Sequence, residues 1–133
     1  MIYLLDTNVC IAAMRGNPSV VQRLAARSPD DCAVSMVSVF ELFAGVHRCS
    51  DPAGEGHKVA TFLQQFHLLP FDWDSAMTTA EIRFQLEKAG TKIGPYDLQL
   101  SGQALALDLT LVTHNTREFK RVNHLRLEDW ETR

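Results

Sequence analysis

Ile2-Tyr3-Leu4-Leu5-Asp6 places four apolar residues in a row near the start of the chain and ends them on a carboxylate. A short apolar run with no polar alternation fits a strand covered on both faces, the habit of parallel sheets. Similar runs recur at Cys32–Ser35, Leu68–Phe71, Thr110–Thr113 and Leu125–Leu127. Helical spacing fills the intervals: Val20–Ala26, Met36–Arg48, Lys58–Phe66, Ser75–Lys88 and Pro95–Leu107. Gly90 suits a helix end and Pro95 a helix start. Strands alternating with helices predict an α/β fold with a mostly parallel sheet. Ser50–Gly56 is the most linker-like stretch and reads as a loop between two helices.

The chain has 133 residues, within the range of one domain with one core, so 1–133 is expected to be a single domain. A chain of this size buries roughly 65–70% of its unfolded surface, enough to fold without covalent staples. The formal charge is −3, from 13 basic and 16 acidic residues, a weak footprint for unspecific contact with a nucleic-acid backbone. A nucleic-acid substrate would have to meet a local basic patch or a bound metal. Cys10, Cys32 and Cys49 form no close pair, and Cys10 and Cys32 read as buried, inert thiols. Only four apolar residues precede Asp6, with no basic flank, so no signal peptide is expected. No run approaches the ~18 apolar residues of a membrane span, and the expected location is the cytoplasm.

Three carboxylates stand where local structure gives them little reason to be. Asp6 ends the first apolar run, Glu41 interrupts the apolar stretch Met36–Val46, and Asp97 follows Gly94-Pro95-Tyr96. In open parallel sheets, ligands bind beyond the carboxyl ends of the strands. Asp6 lies at such an end, as do Thr113, His114 and Asn115 after a later strand. Glu41 shares a helix face with Ser38 and Gly45, and Asp97 shares one with Ser101, so small residues leave room around both. Brought together, the three would form an all-oxygen site for a hard divalent cation such as Mg2+, a tool of phosphoryl transfer. Two carboxylates ~4 Å apart repel by about 4 kcal/mol at an effective dielectric of 20, so a cluster calls for positive charge among its members. Local explanations compete: Asp6 could cap a helix beginning near Thr7-Asn8, Asp97 could answer a helix dipole, and Glu41 could face solvent.

Leu5-Asp6-Thr7-Asn8, Ser38-Val39-Phe40-Glu41-Leu42, Ile93-Gly94-Pro95-Tyr96-Asp97 and Leu111–Phe119 occur in that order, before a closing Leu125–Trp130. Taken together, these motifs resemble the VapC toxins, ribonucleases of the PIN-domain family, over nearly the whole chain. The resemblance implies a three-layer α/β/α fold with about five mostly parallel strands, and RNA cleavage dependent on Mg2+ or Mn2+. It also implies a homodimer inhibited by a cognate VapB-type antitoxin. The family's acidic positions fall on Asp6, Glu41 and Asp97, and a fourth falls on Asn115, which brings no charge. Glu118, one turn further on, is the alternative fourth carboxylate.

The mechanism this implies is hydrolysis of an RNA phosphodiester by a metal-activated water. Asp6 and Asp97 hold the principal ion and Glu41 binds or orients the water. A second ion would fall to Glu41 with Asn115 or Glu118. Thr7, Ser38 and Thr113 are candidates for aiming the carboxylates. Lys92, Arg117, Lys120 and Arg121 are candidate phosphate contacts, Trp73 and Trp130 read as packing anchors, and His114 alone of the five histidines falls near the inferred mouth. An aspartyl phosphatase fits worse, since Asn8 stands where its second aspartate would be, and a signalling receiver would want adjacent acids and a late lysine. The other alternative is a degenerate PIN-like module that binds RNA or a partner protein without cutting, favoured only by Asn115. A metal-free, histidine-based ribonuclease would keep full activity in chelator.

Overall fold

The computed structural model describes residues 1–132. Five parallel strands, β1 (Tyr3–Leu5), β2 (Cys32–Ser35), β3 (His67–Leu69), β4 (Thr110–Val112) and β5 (Leu127–Glu128), form one sheet in the order β3-β2-β1-β4-β5. The helices are α1 (Thr7–Met14), α2 (Pro18–Ala25), α3 (Met36–His47), α4 (Pro52–Leu63), α5 (Trp73–Ala89), α6 (Pro95–Ala106) and α7 (Thr116–Phe119). A 3-10 turn at Pro29–Asp31 precedes β2.

The alternation of side chains along a strand explains why the strands need to be apolar throughout. Leu5, Val34 and Val112 join a core with Val9 and Cys10 of α1, Val20 of α2, Leu42 of α3 and Leu63 of α4. Leu4, Ala33 and Leu111 join a second core with Leu100 and Ala104 of α6 and Phe119 of α7. Helices therefore cover both faces, as the three-layer expectation requires. The register pairs Leu5 with Val34 on one side and with Val112 on the other. The chain builds the sheet outward from β1 through β2 and β3, then returns to place β4 on β1's free side. That reversal opens a crevice at the carboxyl ends of β1 and β4, where Asp6 and Thr113 follow their strands.

Several expected boundaries move. Leu68–Phe71 becomes His67–Leu69, because Pro70 has no N–H to give a ladder. The last strand is Leu127–Glu128 instead of Leu125–Leu127. The stretch 50–56 is not all loop: α4 begins at Pro52, with Asp51 as its cap accepting from Gly54 N at 3.2 Å. A side chain at position 54 would place its Cβ 2.2 Å from Asp51 Oδ2, so this glycine makes room for the cap instead of marking a linker. α1 escapes the periodicity reading, since its turns are apolar nearly all round. Trp130 is a fully buried anchor, but Trp73 is 77% exposed and anchors nothing. Cys10 and Cys32 are buried and free, and burial pushes both thiols up, which leaves them inert.

Candidate active site

Asp6 caps α1, and its carboxylate accepts from Val9 N at 2.8 Å. The capping explanation and the cluster explanation are therefore both true of this residue. It is almost fully buried and takes a further hydrogen bond from the Thr113 side chain. Burial pushes its carboxyl up to about 6; the nearby Glu131 and Glu41 carboxylates add to the rise, while Thr113 and Val9 N oppose it.

Glu41 projects from the middle of α3 toward the start of α1. Thr7 Oγ1 lies 2.7 Å from Glu41 Oε1 and 2.9 Å from Ser38 Oγ. Thr7 has one hydroxyl proton; giving it to the carboxylate leaves the fully buried Ser38 hydroxyl to donate to Thr7. The relay fixes Oε1 and leaves Oε2 open.

Asp97 sits in the first turn of α6, where Pro95 begins the helix and Ser101 Oγ donates to the Asp97 backbone oxygen at 2.9 Å. Its carboxyl is also raised to about 6, first by burial and then by the Glu118, Asp6 and Glu41 charges. Asp97 therefore feels the other three carboxylates, although among the described residues no three of the four bring their ligand atoms within 4.8 Å of one another. Among the described residues no hydrogen bond reaches the Asp97 side chain, and no salt bridge joins any of the four to a cation.

Asn115 and Glu118 prove to be a pair. Asn115 Nδ2 donates to Glu118 Oε2 at 2.7 Å, and Gly94 N donates to Glu118 Oε1 at 3.2 Å. Asn115 is itself positioned by Thr113, whose Oγ1 accepts from Asn115 N at 3.0 Å. The amide thus tethers the carboxylate, and Glu118, not Asn115, adds charge beside Asp97.

Arg117 on α7, Lys120 and Arg121 just after it, and Lys92 in the loop before α6 are exposed, with Arg121 Nη1 donating to Lys92 O at 2.9 Å. His114 lies at the mouth's outer edge, its Nδ1 3.1 Å from Asp129 Oδ2 and 3.8 Å from Glu131 Oε2. That trio is the one group of three or more metal-type side chains among the described residues whose ligand atoms all fall within 4.8 Å. Glu131, which couples to Asp6, was missed in the sequence. It lies 125 positions from Asp6, just past the closing motif Leu125–Trp130, and only the Trp130 anchor hints that this tail is held. From Glu41 a groove of about 930 Å³ runs between α1, α3 and α4, past Met14, Arg15, Arg48, Lys58 and Phe62.

A model of the PIN domain matches residues 3–125. The tRNA(fMet)-specific endonuclease VapC of Shigella flexneri is 34% identical over 96% of this chain and 97% of its own length. Ribonuclease VapC2 of Rickettsia felis is 35% identical over 98% of this chain and 99% of its own. Among solved structures, a chain of the DNA-bound VapBC of Salmonella typhimurium is similar, with a TM-score of 0.93, 32% identity and 98% of each chain covered.

Proposed function

The chain belongs to the PIN-domain family, and from that premise we propose that it is the ribonuclease toxin of a VapBC-type toxin–antitoxin pair. It hydrolyses RNA phosphodiesters with the help of a divalent cation, Mg2+ or Mn2+. One observation carries this reading: Asp6 and Asp97, at the strand-end crevice, are both raised to about 6 and have no cationic partner among the described residues. An arrangement that opposes folding in this way persists where it serves a ligand. The donor set is all oxygen, which suits a hard cation and excludes a preference for a thiophilic one.

Asp6 and Asp97 are the residues that would hold the ion, with Glu118 beside Asp97 as a further oxygen donor. When bound, a divalent cation supplies positive charge against the phosphate and makes water a nucleophile near neutral pH. Glu41 orients that water and takes its proton on Oε2, since Oε1 is held by Thr7. Asn115 and Gly94 keep Glu118 from swinging out to solvent. Because water is the nucleophile, the products carry 5′-phosphate and 3′-hydroxyl ends.

The same reading makes 1–133 one PIN domain and assigns a VapB-type antitoxin partner, a homodimeric state and a cytoplasmic location. Among the described residues no helix is long and apolar enough to cross a membrane. Initiator tRNA is the first substrate to try, given the activity named for the Shigella relative. The non-cutting alternative loses its single support, because Asn115 holds a carboxylate instead of replacing one. The test is cleavage of a total-RNA pool by purified, antitoxin-free protein with Mg2+, with excess EDTA, and with Asp6→Ala. Cutting that needs both the metal and Asp6 is expected. Survival in EDTA, or 2′,3′-cyclic phosphate ends, would overturn the mechanism.

A further inference from the structure

Two aromatic rings stand about half-exposed beside the carboxylates. Phe40 directly precedes Glu41 on α3, and Tyr96 directly precedes Asp97 on α6. Consecutive helical residues point about 100° apart, so each ring lies beside its carboxylate and not behind it. Phe40 is 55% exposed and Tyr96 41%, and neither belongs to any of the three apolar clusters. The rings meet edge to face, with centroids 5.6 Å apart and planes at 66°. They bridge two helices across the rim of the mouth while leaving ring surface free. Burying a phenylalanine stabilises a fold, so one left in water beside a polar site contributes little to folding.

A nucleotide has two unlike halves, an anionic phosphate and a flat π-surface, and this rim offers a matching pair of environments side by side. A protein segment laid over the rings would have to take the adjoining Glu41 and Asp97 carboxylates out of water, which is costly without cations. Trp73, Met77 and Phe84, at helical spacing on α5, are the more ordinary surface for a protein contact, since they border no titratable cluster of this kind. Bases in a duplex are already stacked on their neighbours, whereas an unpaired base gains by stacking on an exposed ring.

We propose that Phe40 and Tyr96 form a stacking platform for the unpaired base of the nucleotide adjoining the scissile phosphate. This rests on the ribonuclease reading above and adds two positioning residues to it, with sequence tolerance at the stacked base. The two rings act in positioning the substrate and take no part in the bond changes.

The test compares wild type, Phe40→Ala, Tyr96→Ala and Phe40→Trp. Anisotropy of a labelled single-stranded RNA oligonucleotide in Ca2+ gives affinity, and cleavage in Mg2+ gives KM and kcat. The alanine variants should each weaken binding and raise KM about tenfold with kcat little changed. Phe40→Trp should restore both. An abasic nucleotide at the mapped cut should cost wild type a similar factor and the alanine variants little more. Unchanged affinity in both alanine variants would overturn the proposal. So would weakening that tracks loss of a dimer on sizing, which would assign the rings to a protein contact. If no RNA is cut but binding still depends on the rings, the failure lies with the nuclease reading; if RNA is cut with no dependence on the rings, it lies with the platform.

Discussion

Two neighbouring regions at the carboxyl end of the same sheet treat carboxylates in opposite ways. At the mouth, Asp6 and Asp97 are raised to about 6, burial being the largest cause and neighbouring carboxylates the next. In the tail after β5, burial also pushes Asp129 up, but Thr132, Glu131 N and His114 outweigh it and hold the carboxyl below its usual range. The tail is strapped down in every direction. Arg23 of α2 donates to the backbone oxygens of Asp129 and Thr132. The Arg27 guanidinium stacks 4.6 Å from the Trp130 ring centroid, and Tyr3 meets Trp130 edge to face at 5.2 Å. One region satisfies its charges and stabilises the fold; the other leaves them unmet, and the fold holds them in place through the other region's contacts. The difference separates side chains kept for folding from those kept for chemistry.

The largest effect should come from removing charge at the mouth. Asp6→Asn and Asp97→Asn are each expected to lower RNA cleavage by about 10²-fold or more, since even outer partners of a metal site cost 10–100-fold. Asparagine remains a good helix cap, so the metal-free Asp6→Asn protein should melt no lower than wild type. Marked unfolding of either variant would mean that these carboxylates serve the fold, and the contrast would collapse.

In the strap, Trp130→Ala should cost roughly 3–5 kcal/mol in a urea titration, because it empties a fully buried site and removes the Arg27 and Tyr3 contacts. Metal-dependent cleavage per folded molecule should be retained at temperatures where the variant stays folded. Loss of activity without loss of stability would assign the strap a direct part in the reaction.

Acidity should move the two regions in opposite directions. With folded pKa values near 6 against a usual 3.8, Asp6 and Asp97 bind more protons in the native state than in the unfolded chain between those values. They therefore detract from stability at neutral pH, and that penalty fades as pH falls through 6. For the buried Asp6 it is on the order of 2–3 kcal/mol at pH 7. Asp129 is depressed, so its favourable contribution holds above the ordinary carboxylate pKa and is lost only as pH falls below it. In EDTA, the melting-temperature advantage of Asp6→Asn over wild type should shrink between pH 7.5 and 5. A constant gap would sink this account. Divalent-ion affinity should fall over the same range, as protons compete for the ligands.

A smaller change should follow loss of the hydroxyl that aims Glu41. Thr7→Val is expected to weaken divalent-ion binding or cleavage by about tenfold while leaving the melting temperature nearly unchanged. No change in either readout would mean that Glu41 finds its place without Thr7.

Much of the scaffold was legible because its code is local. Short, mostly apolar runs marked all five strands to within two residues, and Cys32–Ser35 matched at both ends. Proline and glycine punctuation fixed the start of α6 and the end of α5, where Gly90 has φ +71°. Where short-range signals mislead, a longer contact explains it. Gly54 looks like a linker residue until Asp51 folds over it, and Trp73 looks like an anchor although the fold leaves it 77% exposed. In the candidate site, Asp6, Glu41 and Asp97 were readable as misplaced charges. The division of labour between Asn115 and Glu118 was not, because it depends on which way a terminal amide points. Glu131 was invisible for a different reason: it comes near Asp6 only because β5 pairing, Arg23 and the Trp130 contacts hold the tail against the body of the fold.

The sequence by itself determined the class of fold and the chemical type of the site. Periodicity and residue type act over one turn or one strand, and an oxygen-only donor set stays oxygen-only however it is folded. Tertiary structure decided which carboxylates lie at one mouth, which of them are raised, and which polar groups aim them. Burial and Coulomb coupling depend on distances between elements that the chain brings together from as far as 125 residues apart, and no local pattern encodes those distances.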